Sequence, residues 1–158
     1  MKKLKIYLES TVFNRYFEPN RDNYNDTRQL FKEIDSGKFE TYTSVYVIKE
    51  LSDTEDESKR NAMMELIAHH NIVILDESEE VEVLAKAYVT HDVITEAHYY
   101  DRLHVACTSV NGLDAIISLN FSHINRKKTK ELTEPVNRLY GYNKIYIGSP
   151  MEVIKDGE

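Results

Sequence analysis

The sequence predicts an α/β fold in which helices cover both faces of a mostly parallel sheet of about five strands. Short β-branched and apolar runs recur along the 158 residues, and longer amphipathic segments lie between them. Runs this short and apolar are typical of buried parallel strands, and their alternation with helices is the order that a parallel sheet requires. The length fits one domain, residues 1–158.

Five runs carry the strand pattern. The first alternates between apolar and other residues and stops at a polar triplet, whereas later runs are continuously apolar or β-branched. Both patterns indicate strands when the runs are this short. The predicted strands are Leu4–Leu8, Thr41–Val45, Ile72–Leu75, Ala115–Ile117 and Lys144–Ile147.

Four intervening segments place apolar residues at helical spacing. They are Tyr24–Ser36, Ser58–His70, Ser78–Val89 and Glu96–Val110. The first ends at Gly37, a common helix stop, and the third begins with a serine cap before an acidic first turn. Helices therefore connect the predicted strands.

Composition restricts the compartment and the class of protein. Cys107 is the only cysteine, so an internal disulfide is impossible and a reducing cytoplasm is expected. No apolar run reaches the length of a bilayer span, and the run before Glu9 is too short for a signal peptide. The net charge of −7 counts against a pure nucleic-acid-binding module. It counts less against a metal-dependent nuclease, because bound divalent cations invert the local field.

One basic cluster stands out in this acidic chain. It consists of Arg126, Lys127, Lys128 and Lys130. Such a run is usually a solvated loop or a helix end, and a rim that contacts phosphates is the alternative interpretation.

Polar side chains capable of chemistry follow the predicted strands. Glu9 ends the first strand, Glu50 lies in a short apolar helix after the second, and Asp101 opens a strongly apolar helix. Asn120 follows the strand at Ala115–Ile117. A doubly wound sheet binds ligands beyond the carboxyl ends of its strands, where the strand order reverses, so these side chains are expected to converge. Hard oxygen ligands of this kind select Mg²⁺ or Mn²⁺ over Zn²⁺.

Each of these residues also has a structural interpretation. Glu9 can lie in solvent beside a helix cap, and Glu50 can be a surface carboxylate. Asp101 can stabilise a helix N-terminus, and Asn120 can be a turn residue.

Four segments resemble the ordered motifs of PIN-domain proteins. They are Ile6–Phe13, Ser44–Glu50, Asp101–Ala106 and Leu119–His123, and together their order spans nearly the whole chain. The resemblance implies a Rossmann-like, three-layer α/β/α sandwich with a Mg²⁺- or Mn²⁺-dependent RNase site. Many family members are VapC-like toxins of toxin–antitoxin pairs, commonly dimeric and inhibited by a small partner protein.

The resemblance also implies site residues. It puts Glu9, Glu50 and Asp101 at three metal-ligand positions and Asn120 at a fourth, while Thr11 matches a hydroxyl residue that orients the first acid. The departure is Glu9, where the family pattern has Asp. The extra methylene moves the carboxylate by roughly 1.5 Å, so the site is expected to be weakened, Mn²⁺-preferring or inactive. Asn at the fourth position removes one negative charge, so the three carboxylates are expected to hold one ion and not two.

Two histidines are candidates for supporting roles. His104 lies three residues after Asp101 and shares its helix face, either as a hydrogen-bonded core residue or as part of the site. His123 follows Asn120 and can contact a phosphate.

The favoured hypothesis is a Mg²⁺- or Mn²⁺-dependent PIN-type endoribonuclease that acts on RNA and is the toxin of a toxin–antitoxin pair. Its expected partner is an antitoxin protein, its expected assembly is a homodimer, and no membrane segment is expected. The rival hypothesis is a catalytically weakened or inactive PIN-like domain that binds RNA or protein. A phosphatase or receiver-like domain also clusters carboxylates, but a receiver needs an acidic pair where only Glu9 stands.

Overall fold

A parallel sheet forms the centre of the computed structural model, which describes residues 2–156. Within these residues the sheet has five strands in the order β3-β2-β1-β4-β5, and every neighbouring pair is parallel. The strands are β1 (Leu4–Leu8), β2 (Phe39–Ser44), β3 (Val73–Leu75), β4 (Ala115–Ile117) and β5 (Tyr146–Gly148). The predicted α/β fold is confirmed.

Eight helices connect or follow these strands in residues 2–156. They are α1 (Ser10–Arg15), α2 (Tyr24–Asp35), α3 (Val45–Ser52), α4 (Glu57–His69), α5 (Glu79–Thr90), α6 (Tyr99–Val110), α7 (Lys127–Leu139) and α8 (Pro150–Asp156). The sequence pattern missed α1, α7 and α8. It also began α6 too early, because the residues from Thr95 form a turn closed by the His98 N–H and the Thr95 carbonyl.

The strand order reverses between β1 and β4. The chain first builds outward from β1 through β2 to β3, then returns to the other side of β1 to form β4 and β5. Because such crossovers are right-handed, the two directions put their helices on opposite faces of the sheet. Accordingly α1 packs against α2, α3 and α4, whereas α5 packs against α6 and α7.

The central strand of the sheet is more deeply buried than the strand β3 at its edge. Ile6, Tyr7 and Leu8 of β1 are completely buried. In β3, however, Val73 and Ile74 are 50% and 48% exposed. The prediction of a buried strand is wrong for β3, because a strand at the edge of the sheet has a neighbour on one side only.

The basic cluster lies at the beginning of α7. Arg126 is its N-cap residue, and Lys128 Nζ lies 3.0 Å from Asp92 Oδ2. The interpretation as a helix end therefore holds for this cluster. Between residues 2 and 156, no helix combines the length and apolar character needed to cross a bilayer.

Candidate metal centre

Glu9 lies where β1 ends and α1 begins, at the point where the strand order reverses. Its backbone N–H donates to the Ile117 carbonyl of β4 over 3.1 Å, which fixes the residue at the carboxyl edge of both strands. The side chain is the N-cap of α1 and is only 2% exposed. The interpretation of Glu9 as a solvated residue beside a helix cap is wrong, because Glu9 is itself the cap and is buried at the reversal point.

The Glu9 carboxylate accepts four hydrogen bonds. Oε1 accepts from the hydroxyls of Thr11 and Ser118, each over 2.6 Å. Oε2 accepts from the Ser10 hydroxyl over 2.7 Å and from the Thr11 N–H over 3.3 Å. These donors satisfy a buried charge that would otherwise be costly. Glu9 thereby ties the start of α1 to the residue that follows β4.

Glu50 lies in the second turn of α3 and meets Glu9 through a shared hydroxyl. Ser10 Oγ is 3.0 Å from Glu50 Oε1 as well as 2.7 Å from Glu9 Oε2. A hydroxyl has one proton, so it can donate to only one carboxylate at a time. Within residues 2–156, no hydrogen bond reaches Glu50 Oε2. That oxygen is a free acceptor beside Glu9.

His104 connects Glu50 to the core of the sheet. Its Nε2 lies 2.5 Å from Glu50 Oε1, and its Nδ1 lies 2.7 Å from the Tyr7 hydroxyl, which in turn contacts Ser44 Oγ over 2.6 Å. Because a carboxylate can only accept, Nε2 carries a proton. His104 is completely buried. It is therefore a hydrogen-bonded core histidine that also holds a site carboxylate.

The charges around His104 outweigh its burial. Burial lowers the pKa of His104, but the hydrogen bond that it donates to Glu50 and the negative charges of Glu50, Glu9 and Asp101 raise it, and the net shift is upward. The carboxylates around the imidazole therefore favour its protonated form.

Asp101 lies in the first turn of α6 and is held by Asn120. Asn120 Nδ2 donates to Asp101 Oδ1 over 3.1 Å, and Asn120 Oδ1 accepts from the His123 N–H over 3.0 Å. Burial raises the pKa of Asp101, and the charges of Glu9 and Glu50 raise it further. The three carboxylates are therefore close enough to repel one another.

The ligand atoms fall into two adjoining groups. In the first, oxygens of Glu9 and Glu50 and a nitrogen of His104 all lie within 4.8 Å of one another. In the second, the same limit joins Asp101 to His98 and His123. Glu9 and Glu50 are thus brought into one group, whereas Asp101 lies outside it, groups with two imidazoles and interacts with Glu9 and Glu50 through their charges.

The sequence pattern did not predict several residues that lie at this edge of the sheet. Ser10, Ser118 and Tyr7 complete the hydrogen bonds of the carboxylates and of His104, and His98 joins Asp101. A signal existed for some of them: Ser118 follows β4 as Glu9 follows β1, and His98 precedes Asp101 by three residues. Tyr7 gave no signal, because a tyrosine inside an apolar strand reads as core.

Solved structures of proteins from three bacteria have a similar fold. VapBC2 from Rickettsia felis, bound to a DNA fragment from its promoter, is similar with a TM-score of 0.57 and 9% sequence identity. The match covers 91% of this chain and 97% of that chain. The Mycobacterium tuberculosis VapC20 toxin, which cleaves the sarcin–ricin loop, matches with a TM-score of 0.56, 12% identity and 89% and 98% of the two chains. FitAcB from Neisseria gonorrhoeae matches with a TM-score of 0.56, 13% identity and 92% and 97% of the two chains.

This chain has the PIN-domain fold of VapC-type proteins. No protein-family model and no curated protein sequence matches the chain. At 9–13% identity, these structures are similar in fold alone. In the PIN fold of this chain, Glu9 follows β1 directly at the strand reversal, whereas Glu50 lies in α3 and Asp101 in α6.

Proposed function

We propose that this chain is a Mg²⁺- or Mn²⁺-dependent endoribonuclease whose metal ligands are Glu9, Glu50 and Asp101. The observation that carries the proposal is the clustering of these carboxylates, which we name the acid cluster, from three distant segments at the carboxyl edge of a PIN fold. Their mutual repulsion raises the pKa of Asp101, after the effect of burial. A site that gathers like charges in this way favours a cation.

The donor set fits a hard divalent cation. Carboxylate oxygens are the ligands that Mg²⁺ and Mn²⁺ prefer, and Glu50 Oε2 has no hydrogen bond within residues 2–156. Glu9 is more constrained, since its two oxygens already accept four hydrogen bonds. A bound divalent ion would supply activation of water and stabilisation of the leaving oxygen in phosphodiester hydrolysis.

The surrounding residues of the chain orient the acids. Asn120 donates to Asp101 Oδ1 and leaves Oδ2 for another partner. His104 and Ser10 both contact Glu50 Oε1, which leaves Oε2 directed elsewhere. Glu50 and Asp101 therefore each hold one oxygen in a hydrogen bond and leave the other oxygen for a metal ion, an arrangement that keeps metal ligands in place.

The partners follow from the fold and are part of the proposal. One structural neighbour is a VapBC2 assembly on promoter DNA, and another is a toxin that cleaves an RNA loop. Both share the PIN fold over about nine-tenths of this chain. We therefore propose RNA as the substrate, an antitoxin as the inhibiting partner and a homodimer as the assembly.

Metal-dependent cleavage of RNA by purified protein tests the activity. We expect cleavage with Mg²⁺ or Mn²⁺ and none with a chelator. Glu50→Gln and Asp101→Asn should each lower the rate on the order of a hundredfold, as expected when an electrostatic ligand is lost. Glu65→Gln, an exposed glutamate of α4, is the matched control and should keep the wild-type rate. Wild-type protein that cleaves no RNA with either metal, or that cleaves equally well in chelator, would contradict the proposal.

Growth of bacteria that express the chain tests the toxin role separately. Induction of the wild-type protein should arrest growth, whereas induction of Asp101→Asn to the same level should not. Equal growth with both proteins would count against a toxin even if RNA cleavage is observed in vitro.

A further inference from the structure

We propose that His98, Asp101 and His123 form a binding site for a divalent transition metal such as Zn²⁺ or Co²⁺. We name these three residues the imidazole site. One ligand atom of each lies within 4.8 Å of the other two. Two imidazoles and one carboxylate are a ligand set of protein metal centres, and they differ in chemistry from the all-oxygen acid cluster beside them.

The two imidazole rings lie next to each other in the site. The ring centroids of His98 and His123 are 3.5 Å apart, with 24° between the ring planes. Two nitrogens that bind one tetrahedral Zn²⁺ at about 2.1 Å lie roughly 3.4 Å from each other. The two imidazoles are thus neighbours, but they are stacked face to face. Because the lone pairs of an imidazole lie in the plane of its ring, both side chains must turn out of this stack before their nitrogens can bind one ion.

The two carboxylate oxygens of Asp101 lie near different residues. Its Oδ1 accepts from Asn120, whereas its Oδ2 lies 3.9 Å from His98 Nδ1. That distance is too long for a direct hydrogen bond. It is also longer than the separation of two ligands on one tetrahedral ion, so these two atoms must draw closer together to bind the same metal. Asn120 also accepts from the His123 N–H, so one amide positions both the acid and the second histidine.

The imidazole nitrogens are available to an incoming ion. In the part of the chain from residue 2 to residue 156, neither ring is engaged in a hydrogen bond. The side chains of His98 and Asp101 are 34% and 14% exposed, so the site opens to solvent. His98 occupies the N-cap position of α6 without a capping hydrogen bond from its side chain. Capping therefore does not account for the presence of this histidine.

Ligand type determines which metal the site selects. Imidazole nitrogen suits Zn²⁺, Co²⁺ and Ni²⁺, whereas Mg²⁺ prefers oxygen. The imidazole site should therefore discriminate against Mg²⁺ and bind transition metals in the order of increasing affinity from Mn²⁺ through Co²⁺ to Ni²⁺. This inference is independent of the proposed nuclease activity, although the two sites share Asp101.

Co²⁺ titration of metal-free full-length protein, followed by visible absorption, tests the site. Bound Co²⁺ with nitrogen ligands should give d–d bands that saturate at one equivalent and disappear when Zn²⁺ is added. Loss of an outer-sphere partner alone costs about 10–100-fold in metal affinity, so His98→Gln and His123→Gln should each weaken Co²⁺ binding at least that much. His91→Gln, which replaces an exposed histidine after α5, is the matched control and should bind Co²⁺ as the wild type does.

Three results would overturn the imidazole site. The first is a wild-type protein that binds no Co²⁺, and the second is unchanged affinity in both His98→Gln and His123→Gln. The third is binding that Glu50→Gln abolishes while both histidine variants retain it, since Co²⁺ would then occupy the acid cluster. Failure of the nuclease proposal is recognised by a different observation, the absence of Mg²⁺-dependent RNA cleavage.

Discussion

His104 Nε2 lies 2.5 Å from Glu50 Oε1, and this contact joins a buried core histidine to a carboxylate at the edge of the sheet. On its other side the imidazole contacts the Tyr7 hydroxyl of β1. The position of Glu50 is thus fixed by the core as well as by its own helix. Stability and site geometry are coupled through one ring.

Replacement of His104 should destabilise the fold. In His104→Gln, Glu50 and Tyr7 lose their partner in a region without solvent, and hydrogen bonds to charged groups contribute about 1.5–3 kcal/mol each. We expect the free energy of unfolding to fall by about 2 kcal/mol, measured by urea denaturation. His69→Gln, at an exposed position of α4, is the control. An unfolding midpoint equal to that of the wild type would show that the buried contact contributes nothing.

Shortening Glu9 should weaken the site even though aspartate is the family's usual residue. The hydroxyls of Thr11 and Ser118 meet the longer side chain at 2.6 Å, and an aspartate carboxylate would retreat from them. A misplacement of about 1 Å can cost on the order of a hundredfold in rate, so Glu9→Asp should lower Mg²⁺-dependent RNA cleavage. Higher activity in Glu9→Asp would instead indicate that Glu9 has weakened a site built for aspartate.

Cys107 should be unreactive in the folded protein. Burial raises the pKa of this thiol to about 12, so almost no thiolate exists at neutral pH. We expect no alkylation by iodoacetamide under native conditions and full alkylation in urea, both measured by mass spectrometry. Rapid labelling of native protein would show that α6 opens readily.

The start of α8 should contribute stability that depends on pH. Ser149 and Glu152 form a capping box, in which the Ser149 N–H donates to Glu152 Oε1 over 3.1 Å and the Glu152 N–H meets Ser149 Oγ over 3.4 Å. Burial raises the pKa of Glu152, but the hydrogen bonds from Ser149 and Tyr146 outweigh it and hold the pKa below its usual value.

A lowered carboxyl pKa fixes the sign of this pH dependence. The stabilisation is fully present above the unfolded glutamate pKa of about 4.3 and is lost as the pH falls through the lower folded value. Glu152→Gln should therefore lower the free energy of unfolding by about 1 kcal/mol at pH 7 and by less at pH 3. Urea denaturation at both pH values measures the difference, with Glu65→Gln as control. A cost that stays constant with pH would contradict the assignment.

The sequence was sufficient for the fold and for the segments that bear the acids. The strands β1 and β4 were predicted at their observed bounds, because each is a short apolar run that ends at a polar residue. Helix α1 was missed, since six residues are too few to show a helical period. Helix α7 was missed as well, because Pro135 interrupts its pattern and lysines occupy its first turn.

The hydrogen-bond partners of the acids could not be predicted in the same way. Ser118 meets Glu9 across 109 positions of sequence, and Tyr7 meets His104 across 97. Such contacts depend on strand register and on the exact direction of side chains, which apolar periodicity does not encode. Hence the sequence indicated that carboxylates converge but not that Glu9 is enclosed by hydroxyls.

A crystal structure of the protein soaked with Mn²⁺, with the ion located by anomalous scattering, measures most directly whether the acid cluster is a metal site. We expect a peak between the carboxylates, at about 2.1 Å from oxygens of Glu50 and Asp101, with Glu9 at the ion or one water away. Diffraction with no peak at the acid cluster, or with a peak only between His98 and His123, would contradict the proposed nuclease centre.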